Sequence, residues 1–126
     1  MTVRAIRGAT QLLEDSTLEM DAKVAELVEA MLSGNGIVAQ DLISILFTAT
    51  PDLKSGFPAA SARILKGVDL SDVPLICAQE IDVTGALPRV VRVLVHVNSN
   101  KENPEISHIY LHGAKVLRKD IAGDEK

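Results

Sequence analysis

Aromatic side chains are scarce in this chain: tryptophan is absent, and Phe47, Phe57 and Tyr110 are the whole complement. A stacking platform for single-stranded nucleic acid needs more than that. Cysteine is reduced to Cys77, which excludes an internal disulfide framework and any multi-cysteine metal site. No apolar run approaches the ~20 residues that cross a bilayer. Arg4 and Arg7 interrupt the stretch where the apolar part of a secretory signal would lie. An excess of basic charge is missing too, since 13 Lys and Arg against 17 Asp and Glu leave a net charge of −4. The cations are spread along the chain, so neither nucleic acid nor an anionic membrane is expected as a partner. A reducing, cytoplasmic setting is the default expectation. Repeats, low-complexity tracts and long linkers are also lacking. The 126 residues therefore read as one domain over residues 1–120, with a short charged end, 121–126, as a flexible tail.

What the chain does have is apolar patterning, with 47% hydrophobic residues against 24% charged. Residues 2–9 alternate as a strand, placing Val3, Ala5 and Arg7 on one face and Arg4 and Ile6 on the other. Ser16 with Glu19 three residues later is a capping box. Met20, Val24, Leu27, Val28 and Met31 follow at helical spacing, with Asp21, Glu26 and Glu29 outward and Gly34-Asn35-Gly36 as the stop. Residues 42–49 read as a buried strand, preceded by a turn at 39–41 and closed by Pro51-Asp52. Phe57-Pro58 opens a second helix over 59–65, stopped by Gly67. Further strands are expected at 74–80, at the valine-rich 90–97 and at 106–111. Two helices and about five strands make an α+β domain, a mixed sheet packed with helices.

Three ionisable residues do not suit such apolar strands. Arg92 shares a face with Leu94 and His96, opposite Val91, Val93, Val95 and Val97. Glu80 ends the apolar run from Leu75, and Arg7 ends the first strand. Charges so placed need solvent or partners. An open sheet face or an internal Arg–Glu pair would satisfy them, as would a polar pocket whose arginines receive an anion. Other candidates are weaker. Cys77 has no histidine placed beside it and reads as a small hydrophobe rather than a nucleophile. His96, His108 and His112 match no metal-ligand spacing. Gly8, Gly56 and Gly85 form no phosphate loop and read as turn residues.

Four segments taken in order point further. They are Arg4-Ala5-Ile6-Arg7-Gly8-Ala9-Thr10; Phe47-Thr48-Ala49-Thr50-Pro51-Asp52-Leu53 with Phe57-Pro58-Ala59 and Arg63; Cys77 to Gly85 followed by Arg92-Val93; and His108-Ile109-Tyr110-Leu111 with Ala114 to Arg118. Together they resemble the monofunctional, trimeric, sheet-containing chorismate mutases, over residues 3 to about 120 at nearly constant spacing. The resemblance implies a homotrimeric pseudo-α/β-barrel with active sites between subunits, no cofactor and no metal. It implies chorismate as substrate and prephenate as product, in phenylalanine and tyrosine biosynthesis.

That reaction is an intramolecular Claisen rearrangement, which asks for a dicarboxylate clamp and for charge placed where charge develops. By position, the resemblance gives Arg92 to the ether oxygen and a carboxylate. Arg7 and Tyr110 go to the side-chain carboxylate, and Glu80 to the ring hydroxyl. Cys77 would line the same wall as Glu80. Phe57, Ala59 and Arg63 would come from the neighbouring subunit, and Leu117 and Arg118 would help close the cleft. Two departures stand out: Ala60 where the family often has lysine, and Ile76 in place of a polar residue. The competing readings are an imine deaminase-like trimeric enzyme and a non-catalytic trimeric module that binds a small anion.

Overall fold

The computed structural model describes residues 1–118, and the tail expected at 121–126 lies outside the described residues. Seven regular elements follow in order: β1 (Thr2–Gln11), α1 (Thr17–Ser33), β2 (Leu42–Ala49), α2 (Pro58–Arg63), β3 (Leu75–Gln79), β4 (Val90–Ser99) and β5 (Ile109–Tyr110). Short 3-10 segments lie at Ala39–Asp41, Asn103–Glu105 and His112–Arg118. The α+β architecture expected from the sequence is the one found.

The strands form a single sheet in the order β3-β2-β4-β1-β5. β4 lies at its centre, antiparallel to both β1 and β2, while β3 and β5 pair in parallel at the edges. One face is covered. Met20, Val24, Leu27, Val28 and Met31 of α1 pack with Ile6, Ile45, Phe47, Val91, Val93, Val95 and Val97 in the main core. Each such side chain taken out of water contributes roughly 1.5–3 kcal/mol before entropy is counted. The other face carries Arg92, Leu94 and His96, and among the described residues no α-helix is laid along it. A smaller cluster of Ala9, Val90, Tyr110 and Ala114 covers one end of that face, where the 3-10 segment His112–Arg118 folds back.

Local chemistry explains where elements start and stop. The Ser16 hydroxyl accepts from the Glu19 amide at 3.1 Å, as the capping box requires. The return arm goes elsewhere: Glu19 Oε1 accepts from the Leu13 amide at 2.8 Å. That bond above all, with Lys23 beside it, holds the Glu19 carboxyl below its ordinary value. At the far end Asn35 is 2% exposed and acts as a splice. Its amide donates to the carbonyls of Met31 (2.8 Å) and Ser107 (2.9 Å), and its oxygen accepts from the Ser107 amide (2.8 Å).

This splice corrects one expectation. The strand expected over 106–111 is only Ile109–Tyr110. Both backbone groups of Ser107 are satisfied by Asn35, and residues 103–105 are wound into a 3-10 turn, so no ladder forms there. The second helix is likewise shorter and earlier than the expected 59–65: proline occupies its first position and it ends at Arg63. The strand expected over 74–80 spans Leu75–Gln79.

Close packing of β1 on α1 and β5 rests on Gly8. A Cβ there would lie 2.5 Å from the Met31 sulfur and 3.0 Å from the Ile109 carbonyl oxygen. The thioether can swing aside, but the carbonyl belongs to the β5 ladder. Gly8→Ala is expected to destabilise the fold by about 1–3 kcal/mol, the usual cost of overpacking. Urea midpoints at fixed protein concentration, with the slope unchanged, check this.

Candidate functional site

All five strands deliver side chains to the open face of the sheet. Register places Tyr110 beside Ala9, Ala9 beside Arg92, Arg92 beside Thr48 and Thr48 beside Ala78, so one row crosses the sheet from β5 to β3. Arg7 lies two residues before Ala9 and pairs with Leu94 in the next row. Glu80 follows β3, its amide held by the Ala49 carbonyl at 2.9 Å. Fully buried Ala9 keeps the row low between two large side chains.

The result is a hollow of about 220 Å3 lined by Arg7, Gly8, Leu46, Thr48, Glu80, Arg92, Val93, Leu94 and Tyr110. Arg92 Nε lies 3.2 Å from Glu80 Oε2, which also accepts from the Thr48 hydroxyl. The alternatives left open by the sequence therefore coexist: an Arg–Glu pair, set in the wall of a pocket on an open sheet face. The Arg92 side chain remains 44% exposed, so its two terminal nitrogens stay accessible.

Arg7 is anchored through its backbone. Its amide donates to His108 Nδ1 at 3.0 Å, so an imidazole takes the place of a strand partner ahead of β5. This role went unread in the sequence, where His108 fits no metal-ligand spacing and reads as a solvated or packed histidine. Burial first, then the charges of Arg7 and Arg118, push the His108 pKa below its ordinary 6.5. A proton on Nδ1 would also remove the acceptor. The folded state thus binds fewer protons than the unfolded chain, and this contribution to stability is complete above pH 6.5. It declines as pH falls from 6.5 toward the folded value. His108→Gln should remove that part of the decline. The comparison is urea midpoints of both proteins measured above and below pH 6.5.

The remaining expected site residues are placed as follows. Leu117 lines an adjoining hollow that shares Glu80 and Arg92 with the first, together with Thr50, Val90 and Leu87. Arg118 is the last described residue, half-buried and close enough to His108 to affect it. Cys77 is exposed and lines a third hollow with Phe57, Pro58 and Gln79, apart from the Arg92 hollow in this protomer. Phe57 is 73% exposed, Ala59 is buried in the main core, and Arg63 projects from the last turn of α2. Among the described residues no group of three or more His, Cys, Asp and Glu could hold a metal ion. No described helix is long and apolar enough to cross a membrane.

Two guanidiniums, one carboxylate and one phenol over leucine side chains suit a small, oxygen-rich organic anion. Fold and hollow together define an α+β protein whose bare sheet face offers a site suited to such an anion. Residues 3–121 match the family model of chorismate mutase type I. The chain is 38% identical over 122 residues to chorismate mutase AroH of Bacillus subtilis, covering 97% of this chain and 94% of that one. It is 41% identical over 120 residues to chorismate mutase AroH of Thermus thermophilus, covering 94% and 96%. A solved chorismate mutase from Clostridium thermocellum superposes with a TM-score of 0.85 at 42% identity, over 90% of this chain and 98% of that one. The chain belongs to the chorismate mutase type I family.

Proposed function

We propose that this chorismate mutase rearranges chorismate to prephenate by conformational clamping and electrostatic stabilisation, in clefts completed by a neighbouring subunit. The observation that carries the reading is the convergence of Arg7, Arg92, Glu80 and Tyr110 on one hollow from four separate parts of the sheet. The reaction breaks the ether C–O bond and forms a C–C bond within one molecule, as six electrons shift around a ring. No proton is transferred and no bond to the protein forms. Catalysis then consists of holding the enolpyruvyl arm over the ring and meeting the charges that grow.

Arg7 and Tyr110 hold the side-chain carboxylate. Arg92 gives one terminal N–H to a carboxylate and another to the ether oxygen, which becomes partly negative as the bond lengthens. Glu80 accepts from the ring hydroxyl and offsets the positive charge spreading over the ring. Leu117 and Arg118 close the cleft over Glu80 and Arg92. Phe57 reaches the substrate as apolar wall from the adjacent protomer, with buried Ala59 supporting that wall from the core, Arg63 at the rim and Cys77 on the wall as a contact rather than a nucleophile.

A homotrimer is supported by what one protomer leaves uncovered. Its hollow of about 220 Å3 is smaller than the ~300–1,000 Å3 usual for small-molecule pockets. Ile76 and Ile81, on and just after β3, are 65% and 84% exposed, and Phe57 at the separate hollow of Cys77 is 73% exposed, as expected of an assembly surface. One domain over residues 1–120 and a cytoplasmic setting complete the proposal.

The test is loss of chorismate absorbance with matching formation of prephenate, on purified protein without added cofactor. Turnover that survives chelator and leaves no mass adduct on Cys77 is the expected result. A folded sample that leaves chorismate at the background rate refutes the proposal.

A further inference from the structure

Thr48 belongs to the row that crosses the open face, paired with Arg92 on one side and Ala78 on the other. A threonine on a strand commonly serves only as a β-former with a hydroxyl in water. Here the hydroxyl donates to Glu80 Oε2, the same oxygen that faces Arg92 Nε at 3.2 Å. Glu80 itself stands beyond the end of β3. Its backbone hangs from β2 by one bond, the amide to the Ala49 carbonyl. Adjacent β2 residues thus hold this glutamate at both ends, Ala49 by its amide and Thr48 by its carboxylate.

We infer that Thr48 is a positioning residue for Glu80, fixing the rotation of its carboxylate so that Oε2 serves Arg92 and Oε1 is presented to the ligand hydroxyl. The inference rests on the reading of Glu80 given under Proposed function. Arg92 alone cannot do this work. A carboxylate with a single donor pivots about that contact, and a second donor on the same oxygen from the neighbouring strand stops the pivot. The hydroxyl is suited to the task because its single proton is spent on Glu80, so it offers the ligand no competing donor. Its β-branched carbon also has a restricted χ1, which directs the donor.

The experiment compares Thr48→Val, Thr48→Ser and Glu80→Gln with the double variant Thr48→Val/Glu80→Gln, measuring kcat and KM for chorismate. Valine keeps shape and strand preference and removes only the donor. Thr48→Val is expected to lower kcat by about tenfold with KM changed by less than about twofold, the worth of one hydrogen bond to a charged group. Thr48→Ser, which keeps the donor, stays within about twofold of the parent. In the Glu80→Gln background the valine substitution adds less than about a further twofold, because the group it positions has lost its charge. A kcat unchanged in Thr48→Val overturns the inference, as does an equal loss in both backgrounds or no rescue by serine. If valine prevents folding, Thr48→Ala is read against the same criteria. Failure of the underlying reading looks different: Glu80→Gln by itself would then leave kcat intact.

Discussion

Arg92→Ala is expected to lower kcat for chorismate by about two to three orders of magnitude, roughly 3–4 kcal/mol of transition-state stabilisation. The expectation follows from how the guanidinium is divided. Nε is occupied by Glu80 at 3.2 Å, which fixes the plane of the group and leaves two terminal nitrogens for the ligand. The ground-state ether oxygen is a poor acceptor, whereas the same oxygen carries growing negative charge once the C–O bond stretches. The interaction therefore strengthens along the reaction and acts on kcat. Arg92→Lys should rescue little, because one ammonium cannot both pair with Glu80 and reach two ligand oxygens. Circular dichroism and a melting curve establish that the variants fold. Should KM rise with kcat intact, Arg92 is a carboxylate clamp and the assignment to the ether oxygen is wrong.

Glu80→Gln is expected to cost less, about ten- to a hundredfold in kcat. A hydrogen bond to a charged group is worth about 1.5–3 kcal/mol, and the amide keeps the geometry of that contact while losing the charge. The same change removes the anion beside Arg92, so the guanidinium would tend to turn toward the ligand's carboxylates. KM is expected to hold or fall while kcat drops, a pattern that separates loss of transition-state stabilisation from loss of binding. Steady-state kinetics on Glu80→Gln and Glu80→Asp check it. The aspartate restores charge but is one methylene too short to meet both Thr48 and Arg92.

The elements governed by local rules were legible in the sequence. Ser16 and Glu19 located the start of α1, and five apolar residues at helical spacing located its buried face. Alternation in β4 separated Val91, Val93, Val95 and Val97 from Arg92, and the burial follows that division. Arg7, Glu80 and Arg92 were conspicuous as charges on apolar strands. What escaped depends on register between distant segments. Nothing local shows that Asn35 occupies both backbone groups of Ser107, so residues 106–111 looked like a full strand. Nothing local shows that His108 accepts from Arg7 or that Thr48 meets Glu80. The pattern of β2 does place Leu46 and Thr48 on one face, which would have named them once the pairing with β4 was known.

Strand order also has a consequence for how the chain is made. β1 leaves the ribosome before the other strands, yet its two neighbours in the sheet are β4 and β5, which follow β2 and β3 in the chain. Through most of translation both edges of β1 lack their partners, and an open strand edge invites pairing with other chains. Arg4 and Arg7 put two positive charges on that waiting strand, the usual means of discouraging such pairing. By that rule the residue proposed to grip the substrate in the finished enzyme would also discourage mispairing of the nascent one. Replacing Arg7 by an apolar residue would then reduce the yield of soluble protein as well as its activity.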